Sequence, residues 1–240
     1  MEKQLNELVE KVKTAAGANL KAVVLYGSAA SGEFHPKHSD LNVLCIVEQS
    51  GAGELAALNP VAVWWTRKGH PAPLVFTPEA LQRSAVVFAI ELLDTKASHR
   101  VLFGEDIFGA LEVPMSLHRV EVERELRVNL LRLRQSYLAA PAKPKRLLQL
   151  MTSSVSTFLA LFRHALIALG EQGPQPKRDA LDRLASLLGF NAAAFHAILD
   201  VREGRRREKE LDAEALFREY LEGVTRVTDE VDRRIEELSH

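Results

Sequence analysis

The hydrophobic period of the chain changes once, near Ser116, and that single change limits the fold more than any other feature. Before it, helical and extended patterns alternate. Leu5, Leu8, Val9 and Val12 recur at three- and four-residue intervals and mark one face of a first helix. LKAVVLY (20–26) and LNVLCIVE (41–48) are apolar, β-branched runs that read as strands. GELAAL (53–58) reads as a short helix, and VAVWWTRKGHPAPLVFT (61–77) as a hairpin turning at Lys68-Gly69 and Pro71. Thr77-Pro78-Glu79 opens another helix, with Thr as N-cap and Pro in the first turn. VVFAIELLDT (86–95) reads as a further strand. After Ser116 the pattern is helical throughout. Leu117, Val120, Leu126, Leu130, Leu133 and Leu138 keep near-helical spacing, Pro141 and Pro144 interrupt, and a long apolar helix then runs to a stop at Gly170. Shorter helices are expected at about 178–188 and 192–201, and a last amphipathic one at 212–238. The pattern predicts an α/β (α+β) domain with a small mixed sheet over residues 1–112 and an all-α helical bundle over 113–240.

Charge and cysteine content narrow the setting. A net charge of −1 gives no overall field to attract nucleic acid or an anionic membrane, so neither is an expected partner. The one cysteine, Cys45, sits in an apolar run, has no intramolecular partner for a disulfide, and fits a reducing compartment. MEKQLNELVEKVK is a charged amphipathic start rather than a signal peptide, and no apolar run is read as crossing a bilayer. A cytoplasmic protein is expected. The last helix fits packing within the bundle or across a dimer, which leaves the oligomeric state open.

Chemistry concentrates in VVLYGSAASGEFHPKHSDLNVLCIV, residues 23–47. A glycine directly after a strand lets the backbone turn tightly and approach a ligand. Backbone N–H groups after Gly27, together with the Ser28 hydroxyl, suit phosphate oxygens. Asp40 heads the next strand, where a carboxylate could hold Mg²⁺, and residue 42 points to the same side. The stretch resembles the nucleotidyltransferase superfamily that includes DNA polymerase β and the kanamycin and aminoglycoside nucleotidyltransferases. The resemblance rests on Leu25-Tyr26-Gly27-Ser28, a spacer of residues 29–39, and Asp40-Leu41-Asn42-Val43. It implies transfer of a nucleoside monophosphate from an NTP, with ATP expected, to a hydroxyl of a small-molecule or protein acceptor, with Mg²⁺ as cofactor. Gly27, Ser28 and Lys37 would face the triphosphate, while Asp40, Asn42 and Glu91 would form the metal and catalytic set. Glu91 is preferred over Asp94 because Ala89-Ile90-Glu91-Leu92 resembles the strand that carries the third carboxylate in aminoglycoside adenylyltransferases. A salt bridge to a helix cation is the other reading of Glu91.

Asn42 departs from this pattern, which calls for a second acidic residue. An amide oxygen coordinates but carries no charge. Losing several kcal/mol of transition-state stabilisation slows a reaction by roughly three orders of magnitude. Two readings follow: a weakened transferase, or a catalytically inactive pseudo-nucleotidyltransferase that binds nucleotide or a protein partner in an antitoxin-like role. Other features read as structural. His35 and His38 lack further ligands for a tetrahedral metal site. One of Trp64 and Trp65 is core, and the other is free to stack. Lys96 and Arg100 read as surface charge. Arg205, Arg206 and Arg207 are locally balanced by Glu203, Glu208 and Glu210, and the adjacent Arg163-His164 pair lacks the separation of an RNase motif.

Overall fold

The computed structural model describes residues 1–30, 40–139, 143–171 and 176–238. The chain divides into two compact units, Met1–Pro114 and Met115–His240.

The first unit opens with α1 (Glu2–Ala16), which buries Leu5, Leu8 and Val12. A four-stranded mixed sheet follows, built from β1 (Leu20–Tyr26), β2 (Asn42–Val47), β3 (Leu74–Phe76) and β4 (His99–Gly104) in the order β3-β2-β1-β4. β1 is antiparallel to both β2 and β4, and β2 runs parallel to β3. Alternation along the strands decides what each face meets. Val23, Leu25, Val43 and Cys45 point into one core with α1 and with Leu58, Val61 and Trp65. Ala22, Val24, Leu44 and Ile46 point into the other, with Leu81, Ala85, Leu92, Phe108 and Leu111. Both faces of β1 and β2 are therefore covered, which is why these strands read as continuous apolar runs.

Two sequence expectations are corrected here. Residues 61–66 belong to a helix, α2 (Ala52–Thr66), which carries Pro60 in its interior, and not to a hairpin. Val and Trp favour strands locally, but Leu58, Val61 and Trp65 repeat at i, i+3, i+7 and bury one helical stripe against α1 and the sheet. Only Leu74–Phe76 of the expected hairpin is a strand, and it pairs with β2. Residues 89–97 form a helix, α4, and not a strand. Ala89, Leu92 and Thr95 give that helix its buried side, and its Ala, Leu, Glu and Lys are strong helix formers. The preceding helix, α3 (Pro78–Ser84), starts as expected: the Thr77 hydroxyl accepts from Ala80 N at 3.2 Å.

The second unit contains five helices among its described residues: α5 (Met115–Ala139), α6 (Pro144–Ala168), α7 (Lys177–Leu188), α8 (Ala193–Arg202) and α9 (Ala213–Leu238). By length and composition α6 could cross a membrane, contrary to the sequence reading, but it is the central helix of the bundle and packs against α5, α7, α8 and α9. Its Phe158 and Phe162 join Phe190, Phe195 and Tyr220 in one aromatic core, with Phe195 and Tyr220 centroids 4.5 Å apart. Gly223 lets α9 close on this core, since a Cβ there would lie 2.8 Å from Phe195 Cε2. Tyr220 is buried, yet its hydroxyl keeps a polar partner in Ser154 Oγ at 3.0 Å.

Candidate functional site

β1 delivers its C-terminal end to the mouth of β2. Tyr26, the last residue of β1, is the register partner of Asn42, the first of β2. Gly27 follows with φ of +76° and opens a single 3₁₀ turn, Gly27–Ala29, closed by a bond from Ala30 N to Gly27 O at 2.9 Å. A side chain at 27 would be strained by that φ and would place its Cβ 3.1 Å from Asn42 Nδ2. The structure thus brings together Gly27, Ser28 and Asn42, with Asp40 exposed just before the strand. Lys37, His35 and His38 lie outside the described residues.

The neighbourhood of Asp40 contains a residue that sequence reasoning missed. Leu41 N donates to His70 Nδ1 at 3.4 Å, and the His70 ring packs on the fully buried Trp65 with centroids 4.3 Å apart. Burial pushes the imidazole below its ordinary pKa, while the negative charge of Asp40 opposes that shift. With Nδ1 accepting, the proton of the neutral ring sits on Nε2, which is buried without a hydrogen-bond partner among the described residues. The only sequence cue was a His between a Gly and a Pro, in a segment read as a turn. Burial likewise raises the pKa of the half-buried Tyr26 phenol.

The expected third carboxylate is not on a strand. The two strands after β2 read Leu74-Val75-Phe76 and His99-Arg100-Val101-Leu102-Phe103-Gly104, without Asp or Glu. Glu91 is exposed in the first turn of α4, and Asp94 lies on the same helix. Among the described residues, no three His, Cys, Asp or Glu side chains group as a metal site. Among the described residues, the donor set at the mouth of β2 is one carboxylate, Asp40, and one neutral amide whose nitrogen faces Gly27. That set does not fit the pair of Mg²⁺ ions a two-carboxylate site would hold.

The remaining candidates have structural employment. Lys96 Nζ donates to Leu111 O at 2.6 Å, and Arg100 makes a two-pronged pair with Glu2 at 3.0 and 3.2 Å. Trp65 is core, as one of the two tryptophans was expected to be. Trp64 stacks on it and lies beneath Lys11 and Lys68, 5.0 and 4.8 Å from its ring. Arg205 pairs with Asp200 and Glu203, and His164 is buried, with its Nδ1 3.0 Å from His118 Nε2.

Residues 2–105 match the family model described as nucleotidyltransferase domain. No curated protein matches the sequence. Among solved structures, the chain is similar to the spectinomycin adenyltransferase AAD(9) from Enterococcus faecialis, crystallised with ATP and spectinomycin. The TM-score is 0.56 at 13% identity, over 94% of this chain and 98% of that one.

Proposed function

We propose, from the premise that the N-terminal domain belongs to the nucleotidyltransferase superfamily, that this chain is a nucleotide-binding pseudoenzyme of that fold. It holds the phosphates of an NTP on the Gly27–Ser28 turn and does not carry out ordinary metal-dependent transfer. One observation carries this reading: among the described residues, Asp40 is the single carboxylate at the mouth of β2, and neither β3 nor β4 supplies another. Polarising a triphosphate and activating an acceptor hydroxyl need more negative charge around the metals than one aspartate gives. In this reading the helical unit, 113–240, recognises a partner, and the protein works in the cytoplasm.

A second reading is favoured by the likeness to an adenyltransferase across nearly the full length of both chains. It is transfer of a nucleoside monophosphate, with ATP as donor and Mg²⁺ as cofactor, to a hydroxyl of a small acceptor.

Calorimetric titration of each NTP with and without Mg²⁺, beside a pyrophosphate-release assay, separates the two. The pseudoenzyme reading expects NTP binding that survives Mg²⁺ removal, no pyrophosphate release by the natural chain, and no release after Asn42→Asp. Mg²⁺-dependent binding with pyrophosphate release by the natural chain would overturn it in favour of the transferase. Release gained only in Asn42→Asp would make the site a decayed transferase instead.

A further inference from the structure

The helical unit carries a cavity of its own, of about 850 Å³. Lys143, Lys145 and Arg146 reach it from the start of α6, and Arg202 reaches it from the end of α8. Glu208 is the one acidic residue in its lining. Other arginines of the unit are neutralised by carboxylates: Arg178 by Asp200 and Glu203, Arg183 by Glu171, Arg127 by Glu123 and Asp232. The four cations at the cavity form no ion pair with a described carboxylate. Arg146 Nη1 instead donates to Gln149 Oε1 at 3.2 Å, and Arg202 Nη1 makes only a long 3.5 Å contact with Thr152 O. Four cations against the one carboxylate of Glu208 leave an excess of positive charge facing one volume, which an anionic ligand would offset.

The lining also limits which anion. Among the described residues it contains no Trp, Tyr, Phe or His, so a nucleobase has no ring there to stack on. Recognition must run through charge and hydrogen bonds to the guanidinium, ammonium and hydroxyl groups, and phosphate oxygens match these. A concave site of nucleotide size favours a compact, highly charged ligand over an extended strand.

We propose that this cavity binds a small oligophosphate anion, either free pyrophosphate or triphosphate or the phosphate tail of a nucleotide, through Lys143, Lys145, Arg146 and Arg202. The site is independent of the Gly27–Ser28 turn. It would stand if that turn bound nothing.

The test is calorimetric titration of the full chain, in metal-free buffer, with inorganic triphosphate, ATP and adenosine. Triphosphate is expected to bind, more weakly at physiological salt than at low salt, and adenosine is not. ATP binding that weakens in the lining variants identifies a nucleotide tail as the ligand, and ATP binding that those variants leave unchanged identifies the free anion. Lys145→Ala/Arg146→Ala and, separately, Arg202→Ala should each weaken triphosphate binding by roughly tenfold, while Arg183→Ala, at an arginine already paired with Glu171, leaves it unchanged. All three lining residues are exposed, and far-UV circular dichroism checks that the variants fold. Absence of triphosphate binding, affinity unchanged in both lining variants, or loss of affinity in Arg183→Ala would each overturn the proposal.

Discussion

Replacing Gly27 by alanine separates two costs that the structure places on one residue. The φ of +76° belongs to a region in which an L-residue pays about 1–2 kcal/mol. The added Cβ would also stand 3.1 Å from Asn42 Nδ2, a distance at which the amide has to give way. Displacing that side chain from its rotamer costs about 0.5–1.5 kcal/mol. Alanine returns about 0.4–1 kcal/mol by restricting the unfolded chain. The net expectation is a loss of roughly 1–2 kcal/mol. In an Asn42→Ala background the contact cost disappears and the φ cost remains, so the same substitution should cost less by about 0.5–1.5 kcal/mol. Urea unfolding followed by tryptophan fluorescence reports on this domain alone, because both tryptophans of the chain, Trp64 and Trp65, lie on α2. A loss below ~0.5 kcal/mol would refute the strained turn. An equal loss in both backgrounds would refute the Gly27–Asn42 contact.

Three further outcomes are expected. Trp65→Ala empties a fully buried site between α1, α2 and the His70 ring and should cost about 3–5 kcal/mol, read from urea unfolding by circular dichroism. Burial pushes the Cys45 thiol up to about 12, so it should stay unreactive toward an aromatic disulfide reagent at mildly alkaline pH and react once urea unfolds the domain. Arg127 hydrogen-bonds Asp232 and holds its carboxyl below the ordinary value. A depressed folded-state pKa contributes stability that is present above the unfolded value, near 4, and lost as pH falls through the folded one. The stability difference between the natural chain and Arg127→Met, measured by urea unfolding, should therefore shrink as pH is lowered below about 4.

What could be read in advance depended on whether one local pattern dominated. β1 and β2 were legible because their residues are β-branched and apolar on both faces, and α6 because its apolar positions fill a helical period for many turns. The second half of α2 was not. Val61, Val63, Trp64 and Trp65 favour a strand one residue at a time, and only the packing of Leu58, Val61 and Trp65 on α1 makes the helix win. α4 was hidden for a related reason: Val86, Val87 and Phe88 precede it and extend its apolar run, yet they lie outside the helix and are exposed. The same error moved Glu91 onto a strand. At the candidate site, the nearness of the Gly27–Ser28 turn to the mouth of β2 was legible because consecutive strands usually pair. His70 was not, since it reaches Leu41 only after α2 has carried the chain back to the sheet.

The contact between Gly27 and Asn42 also bears on how freely this lineage can change its chemistry. Asparagine and aspartate codons differ by a single purine transition at the first base. The strand behind Asn42 is buried from Val43 to Val47, so its register cannot slip to accommodate a new residue. A mutation to aspartate would therefore present its carboxylate where the amide stands now, with no rearrangement of the fold. Descent can thus toggle the second carboxylate in a single step, and the fold sets no barrier against it in either direction.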